Sequence, residues 1–208
     1  MCTRFFIEDN SEELEAIVHE VERSLLTQRF NSAGERVYTA GEIRPTNVTP
    51  VLAPDKSGKQ KAFPMRWGFQ IPGRSLIVNA RLETASEKPT FREAWKSHRC
   101  IVPASWYYEW EHYQTSDGKT KTGEKYLIQP RGATVTWLCG LYRIEGELPV
   151  FTILTREPSA ELRELHDRMP LMLPREAIGE WVRPDTRPET LLPYALTDMA
   201  FEKVPAGL

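Results

Sequence analysis

The sequence predicts an α+β fold, a strand-rich single domain over residues 1–208 flanked by short helices. Three observations lead to it. The length of 208 residues fits one domain. Runs rich in β-branched and aromatic residues follow one another, separated by Gly, Pro, Asp or Ser, as strands do. Regular alternation of strands with long helices is absent, so we expect no doubly wound parallel sheet.

The first element is predicted to be an amphipathic helix over residues 11–28. Asn10 and Glu13 have the spacing of a capping box. Apolar residues then recur at helical spacing: Leu14, Ile17, Val18, Val21, Leu25 and Leu26. The first ten residues are expected to be an extended lead-in that places Cys2 in a pocket.

The centre of the chain is predicted to be strands, and the last quarter short helices. The strand-like runs are residues 65–70, 76–82, 99–111, 126–129, 134–144 and 150–155. A polar turn, TSDGKTKTG, occupies residues 115–123. Short helices are predicted over residues 90–97, 159–165, 175–182 and 189–196, and frequent prolines limit the length of the last ones.

Composition bounds the function. Hydrophobic content of 40% supports a sizeable core, and a net charge of −2 argues against a protein that coats nucleic acid non-specifically. No apolar segment is long enough to span a membrane, and MCTRFFIEDN has no signal core, so a cytoplasmic location is expected. Cys100 and Cys139 lie in apolar runs and are expected to be buried free thiols. Without C-x-x-C, neither a metal nor another cofactor is expected.

Arginines recur beside the turn-like segments. They are read either as scattered surface charges or as parts of a local basic cleft, which bulk charge does not distinguish. They are Arg4, Arg44, Arg66, Arg74, Arg81, Arg99 and Arg168.

Cys2 directly follows Met1 and is small enough for that Met to be removed. The mature chain would then begin with an amine and a thiol on one residue. The amine condenses with an aldehyde to an imine, and the thiol closes a five-membered thiazolidine. Their ordinary pKa values, roughly 7.7–8.0 and about 8.5, suit neutral pH, and a polar pocket would lower that of the thiol. The alternative is a frayed terminus without function.

Three other polar residues interrupt apolar runs. Asn79 lies within a strand-like run and is read as a structural bridge or a ligand-positioning group. Glu109 lies among aromatic residues, where loss of hydration would raise its pKa and suit it to acid–base chemistry; a solvent-facing Glu is the alternative. His166, followed by Asp167, titrates in the useful range, although a single His is more often structural.

In order, these residues and their neighbours resemble the SRAP family of SOS-response-associated peptidases, or abasic-site processing proteins. The motifs are M-C-x-R-F with Cys2, N-V-x-P with Asn47, Trp67-Gly68, N-A-R-x-E-T from Asn79, P-A-S-x-x-Y-E-W from Pro103 and H-D-R-M-P from His166. One departure is Trp106, which stands where the family pattern has a small residue.

The resemblance implies a mixed β-sheet or barrel core and a reaction with damaged DNA. Its members bind single-stranded DNA, or a junction of single and double strand, at an abasic site, and the ring-opened aldehyde reacts with the N-terminal cysteine. A thiazolidine crosslink then shields the lesion, and some members also cleave the strand as lyases. A monomer in the cytoplasm, associated with the nucleoid and without membrane or metal partners, is expected.

The resemblance also implies residue roles. Cys2 would be the nucleophile, Asn79 would hold its amine or the opened sugar, Glu109 would move protons, and His166 would act on the sugar oxygen and in crosslink reversal. The DNA-binding candidates, which would contact phosphates or line the site, are Arg4, Asn47, Arg81 and Arg168.

Two alternatives belong to other classes. The family's name suggests a thiol peptidase, or autopeptidase, with Cys2 as nucleophile and His166 as its base. The second alternative is a non-catalytic module for single-stranded DNA in which Cys2 has no role. Reaction with an aldehyde substrate distinguishes abasic-site crosslinking from both alternatives.

Overall fold

The computed structural model describes residues 2–8, 12–115 and 117–205, which form mainly β-strands. The strands are β1 Arg4–Ile7, β2 Gly41–Ile43, β3 Val48–Pro54, β4 Gln60–Trp67, β5 Asn79–Arg81, β6 Arg99–Ala104, β7 Trp106–Gln114, β8 Thr120–Pro130, β9 Thr136–Glu145, β10 Leu148–Arg156, β11 Met169–Pro170 and β12 Met199–Lys203. The helices are α1 Glu12–Glu22, α2 Leu25–Ser32, α3 Leu82–Ala85, α4 Arg92–Ser97 and α5 Arg175–Val182, followed by 3-10 turns at Pro188–Thr190 and Leu192–Tyr194.

Five strands close into a barrel in the order β10–β4–β3–β6–β9, with β9 pairing back to β10. The β10–β4 contact is parallel and the other four are antiparallel. Closure leaves no exposed edge in this ring, which disfavours edge-to-edge association. Beyond the ring, β5 pairs in parallel and β11 antiparallel with the end of β10. The predicted α+β class with a barrel core is confirmed.

A second, antiparallel sheet has the order β12–β8–β7–β1–β2. Its strand β1 pairs with β7 in a register that places Phe5 opposite Tyr107. Phe5 is fully buried and its ring lies 5.2 Å from that of Trp67 at the end of β4. The apolar face of this sheet therefore packs against the barrel and fixes β1, which directly follows the lead-in with Cys2.

Ser105 joins the two sheets. The predicted single strand over residues 99–111 is wrong, because the chain bends at this buried serine and passes from β6 in the barrel to β7 in the second sheet. The Ser105 amide donates to Phe6 O (2.7 Å), and its hydroxyl accepts from the Glu8 amide (2.9 Å). Next to it, Trp106 stacks on Phe6 with ring centroids 4.8 Å apart. The unusual tryptophan thus covers β1.

The predicted N-terminal helix is two helices rather than one. Between α1 and α2 the chain becomes extended at Ser24, whose hydroxyl accepts from the Leu26 amide at 3.2 Å. A serine that caps a second helix competes with continuation of the first, and this overrides the apolar periodicity. Asn10 of the predicted capping box lies outside the described residues.

Other helices and strands have boundaries that differ from the predicted ones for local reasons. The run at residues 65–70 ends at Trp67, because Gly68 adopts φ +120 and a Cβ there would lie 2.6 Å from the Leu76 side chain. Only residues 79–81 of the run at 76–82 are a strand. The helix predicted over 159–165 is a series of turns, and that over 189–196 is two 3-10 turns, each with Pro near its start. The helix over 175–182 is confirmed.

The structure shows Arg99 to be neither a surface charge nor part of a basic cleft. It is fully buried at the start of β6, and its guanidinium donates to backbone carbonyls at the ends of α4 and α5 and in the loop that follows. The acceptors are the carbonyls of Trp95, Lys96, Trp181, Arg183 and Thr186. Helix C-termini carry unpaired carbonyls and partial negative charge, which a cation satisfies.

Cys100 and Cys139 are fully buried free thiols, as predicted. They lie on the adjacent strands β6 and β9, where Cys100 pairs with Gly140 and Cys139 with Ile101. Among the described residues, no helix is long and apolar enough to cross a membrane.

Candidate active site

Cys2 lies two residues before the start of β1 and is 1% exposed. Its carbonyl accepts a hydrogen bond of 2.8 Å from Asn79 Nδ2, and its thiol lies 3.8 Å from Arg4 O. Asn79 Oδ1 is buried and has no hydrogen-bond donor among the described residues. The amide side chain therefore holds the Cys2 backbone and leaves an acceptor beside the residue that would carry the amine.

Asn79 reaches this position because β5 is inserted next to β10. The parallel register places Asn79 beside Ile153 and Arg81 beside Thr155. The strand ends after three residues and α3 begins at once, so the polar residues of this segment lie at the edge of the barrel. Asn79 therefore bridges β5 to the segment of Cys2, and its role towards a ligand stays a prediction.

The thiol of Cys2 does not lie in an environment that favours the thiolate. Burial raises its pKa well above the ordinary value, and the negative charge of Glu109 adds to the effect. The expected lowering by a polar pocket is therefore wrong for this structure. A protonated thiol needs a nearby base before it reacts as a nucleophile.

Glu109 lies close enough to Cys2 for its charge to raise the pKa of the thiol. It lies on β7, two residues beyond Tyr107, so both side chains project from the same face of the strand. Both are buried, at 3% and 1% exposure, and the solvent-facing alternative for Glu109 is wrong. Loss of hydration raises the pKa of Glu109 to about 7. Burial also raises the pKa of Tyr107, with the charges of Cys2 and Glu109 acting in the same direction.

Glu109→Gln should increase stability at alkaline pH. Because the folded pKa of about 7 lies above the ordinary 4.5, the contribution of Glu109 to folding stability is fully present below pH 4.5 and is lost as the pH rises through 7. The difference in unfolding free energy between variant and wild type should thus grow by about 3 kcal/mol between pH 4.5 and 8. Urea unfolding at several pH values measures it. The exposed control Glu147→Gln should show no such trend, and a flat difference for Glu109→Gln would contradict the assignment.

His166 faces Glu109 from the loop before β11, with Nε2 3.9 Å from Glu109 Oε1. Burial lowers its pKa to about 4, so at neutral pH the ring is uncharged and this contact is not an ion pair. Nδ1 lies 3.0 Å from the Arg168 amide and 2.9 Å from Asp167 Oδ1. The amide is an obligatory donor, whereas the Asp167 carboxylate is 81% exposed and hydrated. Nδ1 therefore accepts, and the ring proton is on Nε2, towards Glu109.

The DNA-binding candidates differ in their exposure and in the number of protein groups that bind their side chains. Arg81 is exposed at the end of β5. Arg4 is half-buried, and its Nε lies 3.3 Å from Glu42, which also binds Arg44 (2.8 Å) and Lys125 (3.0 Å). This group has three cations for one carboxylate and so carries net positive charge.

Asn47 and Arg168 have protein partners. The Asn47 side-chain oxygen accepts from the Arg44 amide at 2.9 Å, and its backbone carbonyl accepts from the Trp67 amide, so Asn47 shapes the turn before β3. Arg168 is 11% exposed and forms a bidentate pair with Glu83, at 2.9 and 2.8 Å. The structure therefore brings Cys2, Asn79, Glu109 and His166 together and gives these two candidates structural contacts.

Sequence reasoning missed three residues near the site. Tyr107 could have been found from the sequence, because strand alternation places residues 107 and 109 on one face. Glu83 was visible within N-A-R-x-E-T but had no predicted partner. The position of His112 could not be predicted from the sequence. Its ring lies 4.9 Å from that of His166 because β7 carries an irregularity between Trp110 and His112. In the described ranges, no three His, Cys, Asp or Glu side chains are arranged to hold a metal.

The chain is similar in sequence to proteins of one family. Residues 1–206 match the family described as SOS response associated peptidase (SRAP). The chain is 34% identical to the abasic site processing protein YoaM of Bacillus subtilis over 79% of this chain and 80% of YoaM, and 36% identical to YobE of the same organism over 84% and 86%.

Solved structures share the fold. A protein from Bacteroides thetaiotaomicron has a TM-score of 0.75 at 19% identity, covering 99% of this chain and 93% of that one. A phage-related protein of Bordetella bronchiseptica has a TM-score of 0.71 at 22% identity, covering 98% and 94%. With the family match over nearly the whole length, the chain belongs to the SRAP family.

Proposed function

We propose that this protein processes abasic sites in single-stranded DNA, or at a junction with double strand, by forming a covalent crosslink through Cys2. The observation that carries the proposal is a chain of contacts at a buried Cys2: Asn79 binds its carbonyl, the charge of Glu109 acts on its thiol, and His166 faces Glu109. The relatives named abasic site processing proteins support the substrate class.

The chemistry begins once Met1 is removed and the amine lies on Cys2. The amine adds to the aldehyde carbon of the ring-opened sugar, and loss of water gives an imine. The thiol sulfur then bonds to the imine carbon while its proton moves to the nitrogen. The product is a thiazolidine, and the sum is one aldehyde plus one aminothiol minus one water.

Each neighbouring residue supports one step. Asn79 Nδ2 holds the Cys2 carbonyl at 2.8 Å, and Oδ1 is available to accept from the amine. Glu109, with a pKa of about 7, gives a proton to the hydroxyl that leaves as water and takes one back from the nitrogen, and during ring closure it relays the thiol proton to the nitrogen. His166 donates from Nε2 to the sugar oxygen as the ring opens, a role suited to a neutral imidazole.

Positive groups around the site would hold the DNA backbone. Arg81 is exposed and closest in sequence to Asn79, and the group of Arg4, Arg44 and Lys125 around Glu42 adds net positive charge. Phosphate contacts of this kind position a strand without reading its sequence. The imine is also the branch point to lyase activity, because β-elimination from it cleaves the strand. Such a protein would act where the chromosome is exposed as single strands.

The test uses untagged protein, verified by mass to begin at Cys2, and an oligonucleotide with one abasic site. We expect a heat-stable 1:1 adduct on a denaturing gel, with the intact mass of both components minus one water. Protein with an acetylated α-amine is the control and should give no adduct. Absence of an adduct with folded, Met1-free protein would overturn the proposal; labelling of Cys2 by electrophilic peptide mimics would then favour the thiol peptidase.

A further inference from the structure

His112 lies at an irregularity in the second sheet, beside the segment that carries His166. The pairing of β7 with β8 shifts its register between Trp110 and His112. Regular alternation would place His112 on the face of β7 opposite Glu109, and irregularities of this kind re-aim side chains next to active sites. The His112 amide also donates to Leu165 O at 3.4 Å, one residue before His166. The irregularity therefore joins the end of β7 to the His166 segment.

The His112 ring is the exposed neighbour of the buried His166 ring. The two centroids are 4.9 Å apart, and the ring planes meet at 71°. His166 is 8% exposed and directs both nitrogens at protein groups, Nε2 at Glu109 and Nδ1 at the Arg168 amide. The two imidazoles are thus in packing contact and are not hydrogen-bonded to each other. In the part of the chain that the structure describes, no protein group binds a ring nitrogen of the exposed His112, so these nitrogens are available to a ligand.

A DNA phosphate comes within reach of this ring when the abasic sugar reaches His166. The proposed function places the sugar oxygen at His166 Nε2. Phosphates are attached through oxygen to C3′ and C5′ of that same sugar, so a side chain packed directly against His166 lies close to one of them. Because half or more of protein–DNA hydrogen bonds go to phosphate and sugar oxygens, an exposed N–H donor at this position is suited to such a contact.

The charges around His166 favour an imidazole over a purely neutral donor. The carboxylates of Glu109 and Asp167 lie 3.9 and 2.9 Å from the His166 nitrogens. A phosphate that approaches His166 adds another negative charge, and repulsion among these groups opposes binding. An imidazole that donates to a phosphate can also take up a proton, which offsets this repulsion and strengthens the hydrogen bond.

We infer that His112 is a DNA-binding residue, which donates from a ring nitrogen to a phosphate that flanks the abasic nucleotide. This inference rests on the proposed function, because that function places the sugar at His166. It adds to the DNA-binding candidates a contact that depends on the irregularity of β7 and on the packing of the two imidazole rings.

His112→Phe tests the inference, because phenylalanine keeps an aromatic ring against His166 and has no N–H donor. The probe is a single-stranded oligonucleotide with one tetrahydrofuran residue, an unreactive analogue of the abasic site. We expect its Kd to rise by about 5- to 10-fold, because a hydrogen bond to a charged group is lost. The slope of log Kd against log salt should fall by about 0.7, the value for one phosphate contact with a single strand.

Two further variants are measured beside it. His112→Lys should restore most of the affinity, because an ammonium also pairs with phosphate. His19→Phe, which replaces an exposed histidine of α1, is the matched control and should bind like wild type with the same salt dependence. Thermal unfolding confirms that each variant is folded.

Chemically altered DNA identifies the phosphate. An uncharged methylphosphonate replaces the phosphate on the 5′ side of the tetrahydrofuran residue in one oligonucleotide and on the 3′ side in another. At the contacted phosphate, the replacement should weaken wild-type binding by about 5- to 10-fold more than it weakens binding of His112→Phe, because the variant has already lost the contact. Equal losses for both proteins at both positions would overturn the inference.

A role confined to packing makes a different prediction. If His112 only supports the His166 ring, His112→Phe keeps that support and binds the oligonucleotide like wild type, which would refute the phosphate contact. These binding measurements do not require the covalent reaction, so the two proposals fail separately. Absence of an aldehyde adduct would overturn the proposed function while the coupling between His112 and the phosphate is still measured. An adduct without that coupling would leave the proposed function intact and end this inference.

Discussion

Cys2→Ala should abolish the heat-stable crosslink to abasic DNA and leave the affinity for single-stranded DNA within about 2-fold, because 1% exposure leaves the thiol little contact with the backbone of a bound strand. The substitution keeps Cβ and the Cys2 carbonyl, so the hydrogen bond from Asn79 persists. What it removes is the sulfur that closes the ring. The measurement is a denaturing gel of the reaction beside a binding isotherm with an unreactive oligonucleotide.

Two further variants refine this result. Cys2→Ser should give only a transient imine, trapped by borohydride, because a hydroxyl closes the five-membered ring poorly. Cys139→Ala, which removes a buried thiol from β9, is the control and should crosslink like wild type. A stable, unreduced adduct from Cys2→Ala would show that another group is the nucleophile and would end the thiazolidine hypothesis.

Arg99→Met should lower the free energy of unfolding by about 4 kcal/mol or more, since buried carbonyls that lose a charged donor each cost about 1–3 kcal/mol. Methionine keeps an apolar stem, so the loss reports the missing hydrogen bonds together with the space that the guanidinium filled. The carbonyls left unpaired lie at the ends of α4 and α5 and in the loop after α5. For a chain of this size the melting temperature should fall by about 8–16 °C.

Arg183→Met is the matched control for that experiment. Its side chain is 57% exposed and pairs with Asp185 at the surface, so its loss should change stability by no more than about 0.5 kcal/mol. Arg99→Lys should be intermediate, because an ammonium keeps the charge but has too few donors for all the carbonyls. Stability of Arg99→Met within about 1 kcal/mol of wild type would show that water replaces the guanidinium.

The parts of the fold that were predicted depend on local pattern. The helix at Arg175–Val182 follows from local pattern within eight residues, whereas the aromatic residues beside Glu109 suggested its burial and left the solvent-facing alternative open. The helix break at Ser24 was also locally encoded, but the serine was outweighed by the apolar periodicity of residues 11–28. The boundaries of β5 could not be predicted from the sequence, because its three residues form a strand by pairing with β10.

The sequence by itself determined which chemical groups this protein has: an aminothiol at Cys2 once Met1 is removed, a carboxylate among aromatic side chains, and an imidazole. Packing of the second sheet, β5 and β11 against the barrel decided what these groups can do. It joins Cys2 to Asn79 across 77 positions and Arg168 to Glu83 across 85. Burial then raises the pKa of the thiol and of Glu109 and lowers that of His166. The loss of hydration and the hydrogen bonds that produce these effects come from strands distant in sequence, and local periodicity carries no information about them.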